Sequence, residues 1–145
     1  METLQRLTRR QLEALRVIAA RGGAERGVPL NEIAAALHVR PPSALAHLGP
    51  LEELGLVRRF RGKSFVTPKG QTCLDEYLRH HRVAESLFAR AGLPVEATHA
   101  AALEVDLALS HRTVQELCEA EGHPSVCPHG RPIAPCSVSD PRGHR

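Results

Sequence analysis

The chain has 145 residues, room for one ordinary domain or two small ones, and its 42% hydrophobic and 24% charged residues are normal for a soluble globular protein. No apolar run approaches the about 20 residues of a membrane span, and Met1-Glu2-Thr3-Leu4-Gln5-Arg6 lacks a signal-peptide core, so a cytoplasmic location away from membranes is expected. The net charge of +3 is unevenly divided: residues 1–72 hold 12 Lys and Arg against 6 Asp and Glu, whereas residues 73–145 hold 7 against 10, with seven of the nine histidines. A basic front suits a polyanionic partner, and a back rich in His and carboxylates suits regulation or metal binding. In a reducing compartment the four cysteines read as buried, reactive or metal-binding thiols, not as a disulfide framework.

Leu12, Leu15, Ile18 and Ala19 recur at helical spacing and predict a helix over 8–20, ended by Gly22, Gly23 and Gly27. Asn31 reads as the N-cap of a short helix over 32–37. The link His38-Val39-Arg40-Pro41 is tight, because the proline pushes Arg40 out of the helical region. A second helix is expected over 42–54, with Leu45, Leu48, Leu51 and Leu54 on one face, a kink at Gly49-Pro50, and Gly55 at its end. Residues 56–60 alternate like a strand, 61–64 read as a turn, and 65–67 as a returning strand. Helix, turn, helix and basic hairpin make a winged helix-turn-helix. Ser43, Ala44 and His47 are then expected at base edges, and Arg40, Arg58, Arg59, Arg61, Lys63 and Lys69 at phosphates.

Thr67-Pro68 opens a long helix to Ala91, closed by Gly92. His81 and Glu85 on it are one turn apart and so share a face. Pro94 starts a further helix over 95–109 carrying His99, which an antiparallel pairing brings near them. Two imidazoles and a carboxylate are a mixed N/O set suited to Mn, Fe, Zn, Ni or Co. A last helix, 111–121, is capped by Ser110 and stopped by Gly122.

Several stretches together resemble the iron- and manganese-dependent transcriptional repressors named for the diphtheria toxin repressor. They are Asn31-Glu32-Ile33-Ala34 through Leu37, Pro42-Ser43, Leu51 through Val57, Thr67-Pro68-Lys69-Gly70, His81-Arg82-Val83-Ala84-Glu85, His99, Ser110 and Cys127-Pro128-His129-Gly130-Arg131-Pro132-Ile133. The resemblance spans about 8–135 and is to the short form, since no third barrel domain fits in 145 residues. It implies a mostly α fold: a winged helix-turn-helix DNA-binding domain (1–72), then an all-helical metal-binding and dimerisation domain (73–136). It implies a homodimer on double-stranded DNA with a palindromic operator, and a divalent transition metal, Mn or Fe first and Zn or Co in vitro, held by His81, Glu85 and His99. The family's second site departs here. Its positions hold Leu103, Asp106 and Leu107, so that site is lost or rebuilt from Glu13, Glu104 and Asp106.

Cys118, Cys127, His129 and Cys136 form a separate expectation: a tetrahedral Zn site or iron–sulfur cluster, redox-sensitive thiols, or inert structure. Cys73 reads as a small buried hydrophobe, and the tail 137–145 as disordered. The function expected is a metal-dependent repressor of metal-homeostasis genes, not an enzyme. The alternative is a winged-helix regulator sensing redox, iron–sulfur or zinc status through its cysteines.

Overall fold

The computed structural model describes residues 2–22 and 24–136; the tail expected to be disordered, 137–145, lies outside them. The chain divides into two compact units between Tyr77 and Leu78, inside a helix, where the sequence reading put the junction at 72/73.

The N-terminal unit holds helix α1 (Arg9–Arg21), strand β1 (Val28–Pro29), helices α2 (Leu30–Ala36) and α3 (Pro41–Glu53), strands β2 (Val57–Phe60) and β3 (Lys63–Val66), and the start of helix α4 (Pro68–Arg90). A capping box opens α1: Gln11 N–H donates to Thr8 Oγ1 at 3.2 Å and Thr8 N–H to Gln11 Oε1 at 2.9 Å. Leu12, Leu15 and Ile18 follow at helical spacing and are buried with Leu4, Val28, Ile33, Leu48, Leu51 and Leu56 in an aliphatic core. Asn31 does not cap α2. The helix has already begun at Leu30, because Pro29, extended at φ −65° and ψ 150°, turns β1 straight into it.

Helix α3 starts at Pro41 with Arg40 extended before it, as a pre-proline residue must be. It then passes through Pro50 as one continuous helix. Gly49 explains why: the residue before proline is driven from the helical region partly by a clash with its own Cβ, which glycine lacks. Ala46, whose carbonyl loses its donor, is exposed to solvent. The four leucines of α3 do not share one face. Leu48 and Leu51 are buried, but Leu45 is 38% exposed, since steps of three residues drift by about 60° each.

The β2–β3 hairpin pairs Phe60 with Lys63, so its turn is only Arg61 and Gly62, both left-handed at φ 50° and 76°. Lys63 and Ser64, expected in the turn, belong to β3. The pairing of β1 with β3 completes a three-stranded antiparallel sheet in the order β1-β3-β2. A two-residue strand carries no periodicity by which a sequence could announce it.

The C-terminal unit holds the rest of α4, helices α5 (Val95–Val105) and α6 (His111–Ala120), and a looped segment closed by a Val126–Pro132 bridge. Helix α5 stops four residues short of the expected 109, because Ala108 and Leu109 both donate back to Val105 in tight turns. Ser110 caps α6 as expected, accepting from Thr113 N–H at 3.1 Å. Val83, Val114, Cys118, Cys127 and Ile133 make this unit's core. Among the described residues, no helix is long and apolar enough to cross a membrane.

Candidate metal centre and nucleic-acid interface

On α4, His81 and Glu85 sit one turn apart and are both nearly buried. His81 Nε2 lies 2.5 Å from Glu85 Oε1 and 3.1 Å from His99 Nδ1; His99 Nδ1 lies 3.7 Å from the same carboxylate oxygen. The return of α5 after Gly92 thus delivers His99 to the pair. Asp106 approaches His81 from the other side of its ring: its Oδ2 is 2.8 Å from His81 Nδ1, and it is fully buried. Where Nδ1 carries the proton, Asp106 accepts from it and Nε2 is the nitrogen free to ligate. Expected as a possible additional ligand, Asp106 meets His81 Nδ1 and, among the described residues, joins no group of three or more ligand atoms.

A second group meets the same carboxylate. Glu85 Oε2 contacts His129 Nδ1, and Cys127 joins them, all ligand atoms lying within 4.8 Å of one another. The Cys127–Gly130 turn makes this arrangement. Gly130 N–H donates to Cys127 O at 2.9 Å, Cys127 N–H to Arg131 O at 2.9 Å, and Gly130 takes φ 78°. Arg82 Nη1 clamps the loop onto α4 by donating to Pro132 O at 2.7 Å. One buried carboxylate therefore faces His81 and His99 through Oε1 and His129 through Oε2, with Cys127 grouped beside His129. Glu85 and His81 are enclosed, while the side chain of His99 is 60% exposed and that of His129 is 34% exposed, so the group is reached from solvent. Imidazole, carboxylate and thiolate donors so assembled fit a first-row divalent cation.

The four residues grouped as one cysteine site separate. Cys127 and His129 go to Glu85, while Cys118 and Cys136 meet His123, which the sequence reading passed over. Sequence proximity misled here; the signal for His123 was the helix stop at Gly122 beside it. Glu13 lies on α1, half exposed and 3.2 Å from Arg10, and Glu104 is exposed on α5. Among the described residues neither joins a group of three or more ligand atoms. Leu103 is partly exposed and Leu107 half-buried. Cys73 is buried, and burial, then the Glu76 charge, pushes its thiol up to about 11, so it is inert.

On the N-terminal unit, Arg40 and Ser43 are exposed at the start of α3 and His47 is half-buried. Ala44 is fully buried and cannot reach a base edge: one residue on from Ser43 turns it into the core. The hairpin bears Arg58, Arg59, Arg61 and Lys63, all exposed. Aromatic rings stiffen it. The Arg58 guanidinium lies 4.5 Å over the Phe65 ring, and that of Arg61 lies 5.1 Å over the Phe60 ring. Arg59 is 3.7 Å from Glu52 in an exposed pair of little energetic weight. Lys69, expected at a phosphate, donates instead to Leu54 O at 2.8 Å at the C-terminal end of α3.

Residues 67–135 match the iron dependent repressor, metal binding and dimerisation domain. An uncharacterised HTH-type transcriptional regulator of Aeropyrum pernix is 30% identical over 105 residues, 72% of this chain and 58% of that protein. A hypothetical protein of Sulfolobus solfataricus has a similar structure, at 27% identity and a TM-score of 0.79, covering 88% of this chain and 99% of that one. A manganese-dependent transcriptional repressor solved with manganese is similar at 26% identity and a TM-score of 0.65, covering 86% of this chain and 57% of that one. The chain thus spans little more than half the length of the regulator and of the manganese-dependent repressor.

Proposed function

From the match of residues 67–135 to the iron dependent repressor, metal binding and dimerisation domain, we propose that the chain belongs to that family and is a metal-dependent, DNA-binding transcriptional repressor acting as a homodimer in the cytoplasm. The observation that carries this is that the one carboxylate of Glu85, itself buried, meets three imidazoles and a thiol, with Asp106 2.8 Å from His81 Nδ1. His81, Glu85 and His99 hold the cation, and Cys127 and His129 complete its surroundings on the other oxygen of Glu85. When bound, the divalent cation supplies the positive charge that holds these converging donors together. Mn or Fe is the physiological choice in this reading, with Zn and Co binding in vitro, as softer competitors do at such donor sets.

Helix α4 is continuous from Pro68 to Arg90. Its first turns belong to the DNA-binding unit and its later turns carry His81 and Glu85. Tying α5 and the Cys127–Gly130 turn to α4 selects one dimer geometry, in which the two α3 helices are one turn of a palindromic duplex apart. Coupling of this kind needs a differential metal affinity of only about 1–3 kcal/mol. Anisotropy of a labelled duplex from the chain's own upstream region tests the proposal. Metal-stripped protein should bind at least about fivefold tighter once Mn or Fe is added. Equal affinity with and without every metal tried would overturn it.

In the same assay, α3 supplies base contacts through Ser43 and His47, and the hairpin supplies phosphate contacts. Arg61→Ala should weaken binding to all duplexes alike and lower the slope of log affinity on log salt by about 1. A changed sequence preference with an unchanged slope would move Arg61 from the backbone to the bases. The iron–sulfur reading loses its support, because the cysteines divide between two groups and among the described residues no four-thiolate set assembles.

A further inference from the structure

We infer that Cys118, His123 and Cys136 form a second, thiophilic metal site for a cation of the zinc class, separate from the donors around Glu85. The local backbone builds it. Helix α6 ends in a Schellman motif: Gly122 N–H donates to Glu119 O at 3.0 Å and His123 N–H to Cys118 O at 2.8 Å. Gly122 and His123 both take left-handed φ, 76° and 56°. This motif folds the second residue past the helix back over the residue three before the cap, where an apolar pair ordinarily meets. Here the pair is an imidazole and a thiol, with His123 Nδ1 3.8 Å from Cys118 Sγ.

The third donor comes from the end of the described chain. Cys136 Sγ lies 3.3 Å from Cys118 Sγ and 3.6 Å from His123 Nδ1. Tetrahedral zinc, with sulfur at about 2.3 Å and nitrogen at about 2.0 Å, sets S···S near 3.8 Å and S···N near 3.5 Å. The observed triangle departs from that by a few tenths of an ångström. The two sulfurs are free thiols, well beyond the ~2.05 Å of a disulfide bond.

The surroundings suit thiolates. Arg79 is buried on α4 and donates from Nη2 to Cys136 Sγ at 3.0 Å, while its Nε and Nη1 meet no acceptor among the described residues. A buried guanidinium calls for negative charge beside it, and two thiolates on a divalent cation supply it with a sulfur acceptor. Burial first, then the Cys136 hydrogen bond, holds the free Cys118 thiol up at about 11. Binding therefore displaces the thiol protons to solvent as the two sulfur–metal bonds form. Cys118 is enclosed, His123 is exposed and Cys136 half-buried, so one coordination position opens outward and is filled by water.

The test uses Cys127→Ser protein, in which the Glu85 group has lost its thiol. Reduced, metal-free protein is titrated anaerobically with cobalt, then zinc. The expected result is a thiolate-to-cobalt charge-transfer band, bleached by zinc and lost in Cys136→Ser. Cys118 and Cys127 both belong to the core, so circular dichroism first verifies that Cys127→Ser is folded, and Cys118 is left in place. His123→Asn keeps the left-handed backbone and should bind zinc more than about a hundredfold more weakly, beyond the 10–100-fold range of outer-shell partners. Zinc should also protect the half-buried Cys136 from alkylation, read by mass spectrometry. Absence of the band in Cys127→Ser protein, persistence of the band in Cys136→Ser, or equal alkylation with and without zinc would each overturn the proposal. The repressor reading stands or falls separately, on DNA affinity with manganese.

Discussion

Glu85→Gln is expected to abolish metal-stimulated DNA binding while leaving the fold intact. Glutamine keeps the length and an oxygen of the side chain but removes its negative charge and turns one ligand position into a donor. Glu85 is the residue both ligand groups share: one oxygen faces His81 and His99, the other His129, with Cys127 in the same group as His129. Removing its charge disables both at once, whereas His99→Ala takes one solvent-facing donor from one group. If metal couples to DNA affinity by about 1–3 kcal/mol, a 5–150-fold stimulation should fall to no stimulation in Glu85→Gln and to an intermediate value in His99→Ala. Anisotropy with and without Mn measures both, and far-UV circular dichroism checks the fold. Undiminished stimulation in Glu85→Gln would mean that metal acts elsewhere. Asp106→Asn gives a graded version. An amide beside His81 Nδ1 weakens the preference for the ligating tautomer and should reduce Mn affinity by about 10–100-fold.

The second large effect is on stability. Gly70→Ala should destabilise the N-terminal unit by about 3 kcal/mol or more, lowering its melting temperature by at least about 10 °C. A Cβ at residue 70 would stand 2.1 Å from the Leu56 carbonyl oxygen and 3.0 Å from a Val66 methyl. The first contact is with backbone at the start of β2, which cannot swing aside as a side chain can. The approach is enforced by Thr67, which accepts from Gly70 N–H at 3.0 Å and donates to Gly55 O at 2.6 Å, locking the first turn of α4 onto the end of α3. Calorimetry measures the loss. A melting temperature within about 2 °C of the parent would show that α4 can shift away from β2. DNA affinity should fall equally in the presence and absence of metal, which separates this variant from Glu85→Gln.

The Thr67-Pro68-Lys69-Gly70 stretch shows what a sequence can and cannot convey. The helix start was legible, because threonine before proline is a local device. The reason for the glycine was not, because its constraint is a carbonyl fourteen residues earlier. The same division runs through the metal centre. His81 and Glu85 sit one helical turn apart by arithmetic, and a short antiparallel return made His99 a reasonable third. That His129 and Cys127 reach the other oxygen of Glu85 depends on the loop from 125 to 133 folding over α4, held by Arg82 and the Val126–Pro132 bridge. Asp106 was read as a ligand because carboxylates bind metals. Whether a carboxylate faces an ion or an imidazole is set by which side of the ring its helix presents.

Local periodicity, caps and turn residues act over three or four positions, and these the sequence by itself determined. They account for the order of helices, the winged hairpin with its basic residues, the Ser110 cap and the His81–Glu85 step. Contacts between segments far apart in the chain were decided only by the tertiary structure. They set the β1–β3 pairing, the burial of Ala44, the unbroken path of α3 through Pro50 and the division of the cysteines between two groups. The physical reason is range. Hydrogen bonds within a turn are encoded by neighbours, whereas a site made by three elements is fixed by how their apolar faces pack, and that packing has no signature in any one stretch of sequence.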